Sequence, residues 1–309
     1  MFFRSTPEEI GKQSRFEFIE NKAAEGEVAL YCRVLDVSPQ GYKKYIEASK
    51  RPYKYAELLA NMQAILDEDI FNKTYGKRRM YEKLQLDYEC EHCYNTVAEV
   101  MRENGLLQKK NKSSTKGLTK SDKEAQKSED LIKRDFSAEA PNKKVVTDIT
   151  EYSARDGKLY VSAIFDCYDN ACIGLTIADN MKAEMVVDTY EQASQKYELS
   201  GVISHSDRGS QYTSTIYRET IGKLNIIQSM NSASGRCLDN AKGESMWGCS
   251  KVEIMSCCDT KKMTCYELAI VIYDYYQYWN HRRICSAIGG VPPIVKRGAY
   301  YAKLYDLTA

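Results

Sequence analysis

From Gln108 to about Lys133 the chain runs through KKNKSSTKGLTKSDKEAQKSED, with almost no large apolar residue. A stretch that cannot bury apolar surface cannot join a packed core, so it reads as a flexible, lysine-rich tether. It divides the 309 residues into separate packing regions. Length agrees, because one core usually serves roughly 100 to 200 residues. The local pattern also changes across it, from helical spacing before to strand-like runs after.

Residues 1–54 form an N-terminal helical segment in this reading. In VLDVSPQGYKKYIEA, Ser38 suits a helix cap and Pro39 a first helical position, with Tyr42, Tyr45 and Ile46 on one apolar face. Either a small helix-turn-helix or a plain helical hairpin fits that pattern. Residues 55–108 form a second, helix-turn-helix-like unit: a long helix from Tyr55 to Phe71, another in TYGKRRMYEKLQ, and a third from Cys93 to Asn104 that stops at Gly105. Lys77, Arg78 and Arg79 start one of these helices and Arg102 ends the next, which fits either phosphate contacts beside a groove-reading helix or a solvated basic face.

Residues 109–140 are the linker and 141–300 a strand-rich domain. Val145–Tyr152, Lys158–Asp166 and Ala171–Ala178 read as an antiparallel meander. Then come a helix Ala183–Tyr197, a strand Gly201–Ser206, a helix Thr213–Leu224, a strand Ile226–Gln228 and a helix from about Asp239 to Met255. Strands first and alternating helices afterwards imply a mixed sheet of five strands with helices on its faces.

Composition narrows the class. The formal net charge of +1 neither announces nor excludes nucleic acid, since phosphates need a basic surface and not a basic total. Eleven cysteines, an odd number spread over a long chain without a secretory leader, read as reduced thiols in a cytosol. The most apolar run, Tyr160 to Ala178, is interrupted by Asp166 and Asp169, and so falls short of the roughly 18 apolar residues a membrane helix needs.

Three acids stand out by position. Asp148 lies inside the first strand, where alternation places it with Val146 and Thr150 on one face. A carboxylate there is costly unless something pairs with it. Asp207 ends a later strand and is followed by Arg208-Gly209, at a strand carboxyl end where ligands of α/β sheets gather. Glu244 lies on the next long helix, with Gly248 and Lys251 one and two turns further along the same stripe. Three carboxylates so placed can converge to hold two Mg²⁺ ions, with Mn²⁺ as a substitute. At roughly 3.5 to 4 Å apart, such ions stabilise the attacking and leaving oxygens of an in-line phosphoryl displacement.

TDIT around Asp148, HSDRGSQYTS around Asp207, IIQSM at Ile226–Met230, CLDNAKGES around Glu244 and YYQYWNHRRICSAIG at Tyr275–Gly289 keep an order and spacing that resemble the integrase core of DDE transposases. In detail they resemble the orfB product of the IS-three family of bacterial insertion sequences. Upstream, TYGKRRMYEKL, VMRENGL and FSAEAPNKKVVTDIT extend the resemblance over most of the chain. It implies a ribonuclease-H-like catalytic domain with Asp148, Asp207 and Glu244 as catalytic metal ligands and Lys251 contacting DNA near the cut. It implies hydrolytic release of the element's 3′ ends and attack of the freed hydroxyl on another phosphodiester, one chemistry with two nucleophiles. Its partners would be double-stranded DNA, at inverted-repeat ends and target, other copies of the chain, and an upstream-frame protein joined by frameshifting. The setting would be cytoplasmic and nucleoid-associated.

The chain departs from the family pattern in four places, one of them GGVPP at Gly289–Pro293 in place of the usual GYLSP-like ending. Thirty-six residues, 208 to 243, separate Asp207 from Glu244, one more than usual, and the extra residue falls in NSASGRC. Gly243 replaces a larger residue before the glutamate, and Cys285 stands where a histidine is common. The rival functions are a nuclease of this fold without strand transfer and an inactive DNA-binding derivative. Cys90-Glu-His-Cys93 lacks a second ligand pair for zinc. His205 either orients DNA or a metal-bound water or packs beside the site. The aromatic run Tyr273–Trp279 reads mainly as core, with Asn280, Arg282 and Arg283 as phosphate contacts.

Overall fold

The computed structural model describes residues 11–24, 26–107, 128–231 and 240–308. Most of the lysine-rich stretch, most of NSASGRC with its extra residue, and Asp239 lie outside them. The chain forms two compact units, Met1–Leu58 and Leu59–Ala309.

The first unit holds helices α1 (Lys12–Lys22), α2 (Val28–Val34) and α3 (Pro39–Ser49). α3 starts where its sequence directs: the Ser38 hydroxyl accepts the Gly41 N–H at 2.9 Å, and Pro39 occupies the first turn. Phe16 packs on Tyr45 with ring centroids 5.4 Å apart.

α4 (Ala56–Glu68), most of which belongs to the second unit, ends before Phe71, because the Asp69 side chain caps the Phe71 N–H at 3.0 Å and starts a 3₁₀ turn. α5 (Lys77–Tyr88) and α6 (Tyr94–Glu103) follow, and Gly105, at φ +65°, turns the chain left-handed after α6 as a helix-ending glycine should. The strands are β1 (Lys144–Ser153), β2 (Lys158–Asp166), β3 (Cys172–Ala178), β4 (Ile203–Ser206) and β5 (Ile227–Met230), in sheet order β3-β2-β1-β4-β5. β1 to β3 form the antiparallel meander, and β4 and β5 run parallel to β1. This is the ribonuclease-H-like arrangement.

α7 (Ala183–Ser194), the short α8 (Ser210–Thr213) and α9 (Thr215–Lys223) serve one face, where Val145, Ile149, Val186, Tyr190 and Tyr217 share a core. The single helix expected over Thr213–Leu224 is broken at Ser214, whose extended backbone lets its hydroxyl cap Tyr217. The other face carries α10 (Ala241–Cys257) and α11 (Cys265–His281). There Phe165 meets Trp247 edge-on at 5.6 Å, and the Tyr152 hydroxyl lies 3.1 Å from that of Ser250. α12 (Pro293–Thr308) is fastened by buried Arg297, which bonds Asp166 at 2.7 Å and Asp169 at 2.6 Å in the β2–β3 turn. No helix of the described residues is long and apolar enough to cross a membrane.

Candidate active site

The register of the sheet determines which acids can meet. β1 and β4 run parallel with Val146 opposite His205, so two residues further along both strands Asp148 stands level with Asp207, on the same face as that pair. Neighbouring strands lie about 4.8 Å apart, which brings the two carboxylates into one locality. Asp207 follows the last residue of β4, and its Oδ1 accepts the Gly209 N–H at 2.8 Å, fixing the turn into α8.

The face carrying Asp148 is the one α10 covers, since Tyr152, four residues along β1, meets Ser250 of that helix. Glu244 projects from the first turn of α10 and is exposed. Asp148 is half-buried, and its carboxyl is pushed up to about 8. Burial is the main cause, and Asp207's negative charge comes next. Glu244 adds to the rise, against the Ile149 N–H, which donates to Oδ1 at 2.8 Å, and the positive charge of Lys251. Glu244 itself is raised by partial desolvation. Lys251 is half-buried, with Nζ 5.8 Å from the Tyr152 ring centroid, and burial lowers it below the usual lysine value. Acids from two strands and a helix therefore share an electrostatic neighbourhood. Among the described residues, though, no three His, Cys, Asp or Glu side chains stand together closely enough to hold a metal ion.

Gly243 has a local reason: a Cβ there would come within 2.9 Å of the Asn240 carboxamide, so the glycine makes room for that side chain where α10 begins. His205 is buried, and its ring nitrogens lie 2.9 Å from Ser229 Oγ and 3.0 Å from Asn231 Oδ1. Of its two sequence readings the packing role holds, because both nitrogens are engaged inside the protein. Cys285 is buried and pairs across a bridge with Val291.

Two of the basic residues read as DNA contacts must be corrected. Arg283 is buried and holds Glu253 through two bonds of 2.9 and 2.8 Å, with its guanidinium 4.3 Å from the Trp279 ring centroid. Arg79 turns inward to the same carboxylate at 2.9 Å. Both guanidiniums are engaged by this internal carboxylate and are not the outward-facing phosphate contacts that the sequence suggests. Asn280 is likewise engaged, donating to and accepting from the backbone of Cys172 at 2.8 Å. Arg78 and Arg282 remain on the surface, paired with Glu82 and Asp69 at 2.9 Å, and Lys77 is half-buried. Glu253 and Arg297 were not singled out from sequence; their only local signal is a charge within an apolar helical stretch.

Residues 138–236 match the family model of the integrase core domain. The chain is 30% identical over 284 residues to the transposase for insertion sequence element IS629 of Shigella sonnei, covering 88% of this chain and 92% of that protein. It is 28% identical over 295 residues to transposase InsF for insertion sequence IS3A of Escherichia coli (strain K12), covering 90% and 96%. A solved structure of the HTLV-2 integrase catalytic core domain in complex with magnesium aligns at TM-score 0.37 and 15% identity, covering 50% of this chain and 95% of that one.

Proposed function

The chain belongs to the IS-three family of insertion-sequence transposases, and from that premise we propose that it cuts and joins DNA at the ends of its element through divalent cations held by Asp148, Asp207 and Glu244. It is a polynucleotidyl transferase of the DDE type acting in DNA transposition. The finer steps, end cleavage and strand transfer at two metal ions, are our reading.

The observation that carries it is the collection of acids around Asp148. A carboxyl held near pKa 8 by burial and by Asp207 and Glu244, against the opposing charge of Lys251, lies in a field where negative charge outweighs positive. An oxygen-only donor set of this kind suits a hard cation such as Mg²⁺ or Mn²⁺ and suits zinc poorly. When bound, such ions neutralise charge on the scissile phosphate and activate the attacking oxygen. The protein supplies position: β1 and the end of β4 fix the two aspartates by sheet register, while α10 presents the glutamate from a helix packed on the same face. Lys251, on the Glu244 stripe of α10, is placed to steady a phosphate beside the cut. Lys77, Arg78 and Arg282 are the remaining basic candidates for backbone contacts with the inverted-repeat ends or target. Two ends must be handled together, so the working form is a multimer of the chain on DNA.

The test is Glu244→Gln, assayed on duplexes carrying the element's ends with Mg²⁺ or Mn²⁺. DNA binding should survive while cutting and joining fall by roughly a thousandfold, or about 4 kcal/mol of barrier. Undiminished joining by this variant would overturn the proposal. Cutting without any joined product from precut ends would reduce the wild-type protein to a nuclease.

A further inference from the structure

A cleft of about 760 Å³ lies within the second unit, apart from the acidic site. It is bordered by the first turn of α5, the first turns of α10, the β2–β3 turn and the start of α12. At about 100° per residue, most of the α10 residues that line it, Lys242, Met246, Cys249 and Glu253, lie roughly 140° to 180° around the helix from Glu244. The cleft and the acids thus lie on different sides of one helix.

Its chemistry selects anions. Five basic side chains line it against a single carboxylate, Glu253, which Arg79 and Arg283 already hold. Lys296 supplies further positive charge, as do Arg78, which is also paired with Glu82 at 2.9 Å, and Lys242, whose Nζ also donates to the Cys167 carbonyl at 2.7 Å; the N-terminal, positive ends of two helix dipoles border the same space. Aromatic surface is interleaved with the charge: Phe136 and Tyr168 are half-buried in the wall, and Lys296 Nζ lies 4.8 Å from the Tyr168 ring centroid. Cations beside aromatic faces are the usual equipment for a single nucleic-acid strand, with phosphates on the former and bases against the latter.

The cleft is too small to enclose a duplex. A volume of 760 Å³ equals a cube about 9 Å on edge, whereas the major groove alone of duplex DNA is about 12 Å across. We propose that this cleft seats a single DNA strand, with phosphates on Arg78, Lys242 and Lys296 and bases against Tyr168 and Phe136. The inference rests on the reading of the chain as a DNA-processing enzyme. It adds a second binding site for the same substrate, on the far side of the helix that presents Glu244.

The experiment measures binding of the full chain to a short oligothymidine strand and to a duplex of equal length over a range of salt. Lys296→Gln should weaken oligothymidine binding and reduce its salt slope by about 0.7, the share of one single-strand phosphate contact. Tyr168→Ala should weaken it about tenfold, and Tyr168→Phe, which keeps the ring, should restore it. Duplex affinity should hold in all three. The control Lys262→Gln removes an equal charge from a side chain that is 84% exposed outside the cleft, and should leave the oligothymidine slope unchanged. If Lys296→Gln and Tyr168→Ala both bind oligothymidine as the wild type does, the cleft proposal falls while the catalytic reading stands. If the wild-type chain binds neither probe, both fall together.

Discussion

Helix α10 carries two glutamates with opposite surroundings. Glu244 stands in its first turn on the side shared with Asp148 and Lys251, where acids outweigh bases and the Asp148 carboxyl is pushed up to about 8. Glu253, about two and a half turns on, is buried against Arg283, Arg79 and the Tyr275 hydroxyl, the last at 2.9 Å. Burial alone would raise Glu253, but the two guanidiniums override it and hold the carboxyl below the usual glutamate range. Burial of an acid therefore says little until its partners are counted. Glu253, with its charge balanced, is part of the frame, whereas the acids around Asp148 raise one another and are the ones proposed to hold cations. The Glu253 cluster also fastens α5 to α10 and α11 within the second unit.

That contrast can be broken most decisively at Asp148. Asp148→Asn should abolish cutting and joining by roughly a thousandfold, about 4 kcal/mol of barrier. It should also raise the melting temperature of the metal-free protein at pH 8 and above. The sign follows from linkage: with its folded pKa above the unfolded value, Asp148 binds more protons in the native state, so stability from this group is lost as pH rises through about 8. The amide removes that loss. A variant that is inactive but no more stable than wild type would mean that the acids do not strain one another.

Glu253→Gln should behave in the opposite way. Removing the charge leaves Arg283 and Arg79 without their carboxylate, at a cost of about 3 kcal/mol in stability, visible as a lower denaturant midpoint. The loss should shrink as pH falls through the depressed folded pKa, because protonated wild-type Glu253 gives up the same contribution. A variant as stable as wild type at neutral pH would remove the distinction between the two sites.

Metal titration sharpens the comparison further. Binding at the acidic site must displace the Asp148 proton, so apparent Mn²⁺ affinity should fall about tenfold per pH unit below 8 and level off above it. Calorimetry in buffers of different ionisation enthalpy would count the proton, and a pH-independent affinity would contradict the assignment. The smallest effect belongs to Lys262→Ala, which breaks an exposed pair with Asp259 and should change stability by no more than about 0.5 kcal/mol.

Much of the frame can be read before folding is considered. Strand alternation located β1 to β3 to within a residue or two, and Ser38-Pro39 announced a helix start that the structure keeps. Asp148 was conspicuous because a carboxylate inside a β-branched strand has few innocent explanations. Helix ends were less legible where a short polar side chain caps locally, as Asp69 and Ser214 do, because such caps compete with helix continuation over only a few residues. Least legible were Arg79 and Arg283. Their sequence surroundings are basic and resemble a phosphate-binding edge, yet both turn inward to a glutamate 30 residues from one and far more from the other.

The sequence by itself determined the order of elements, the alternation that separates the two faces of the sheet, and the identity of the acids proposed for catalysis, because these depend on short-range periodicity and side-chain chemistry. Only the tertiary structure decided which charges neutralise one another, which basic residues remain at the surface, and that α10 divides an acidic site from a basic cleft. Those outcomes depend on distances between residues remote in the chain, and in a medium of low dielectric a few ångströms separate a stabilised ion pair from an unbalanced charge.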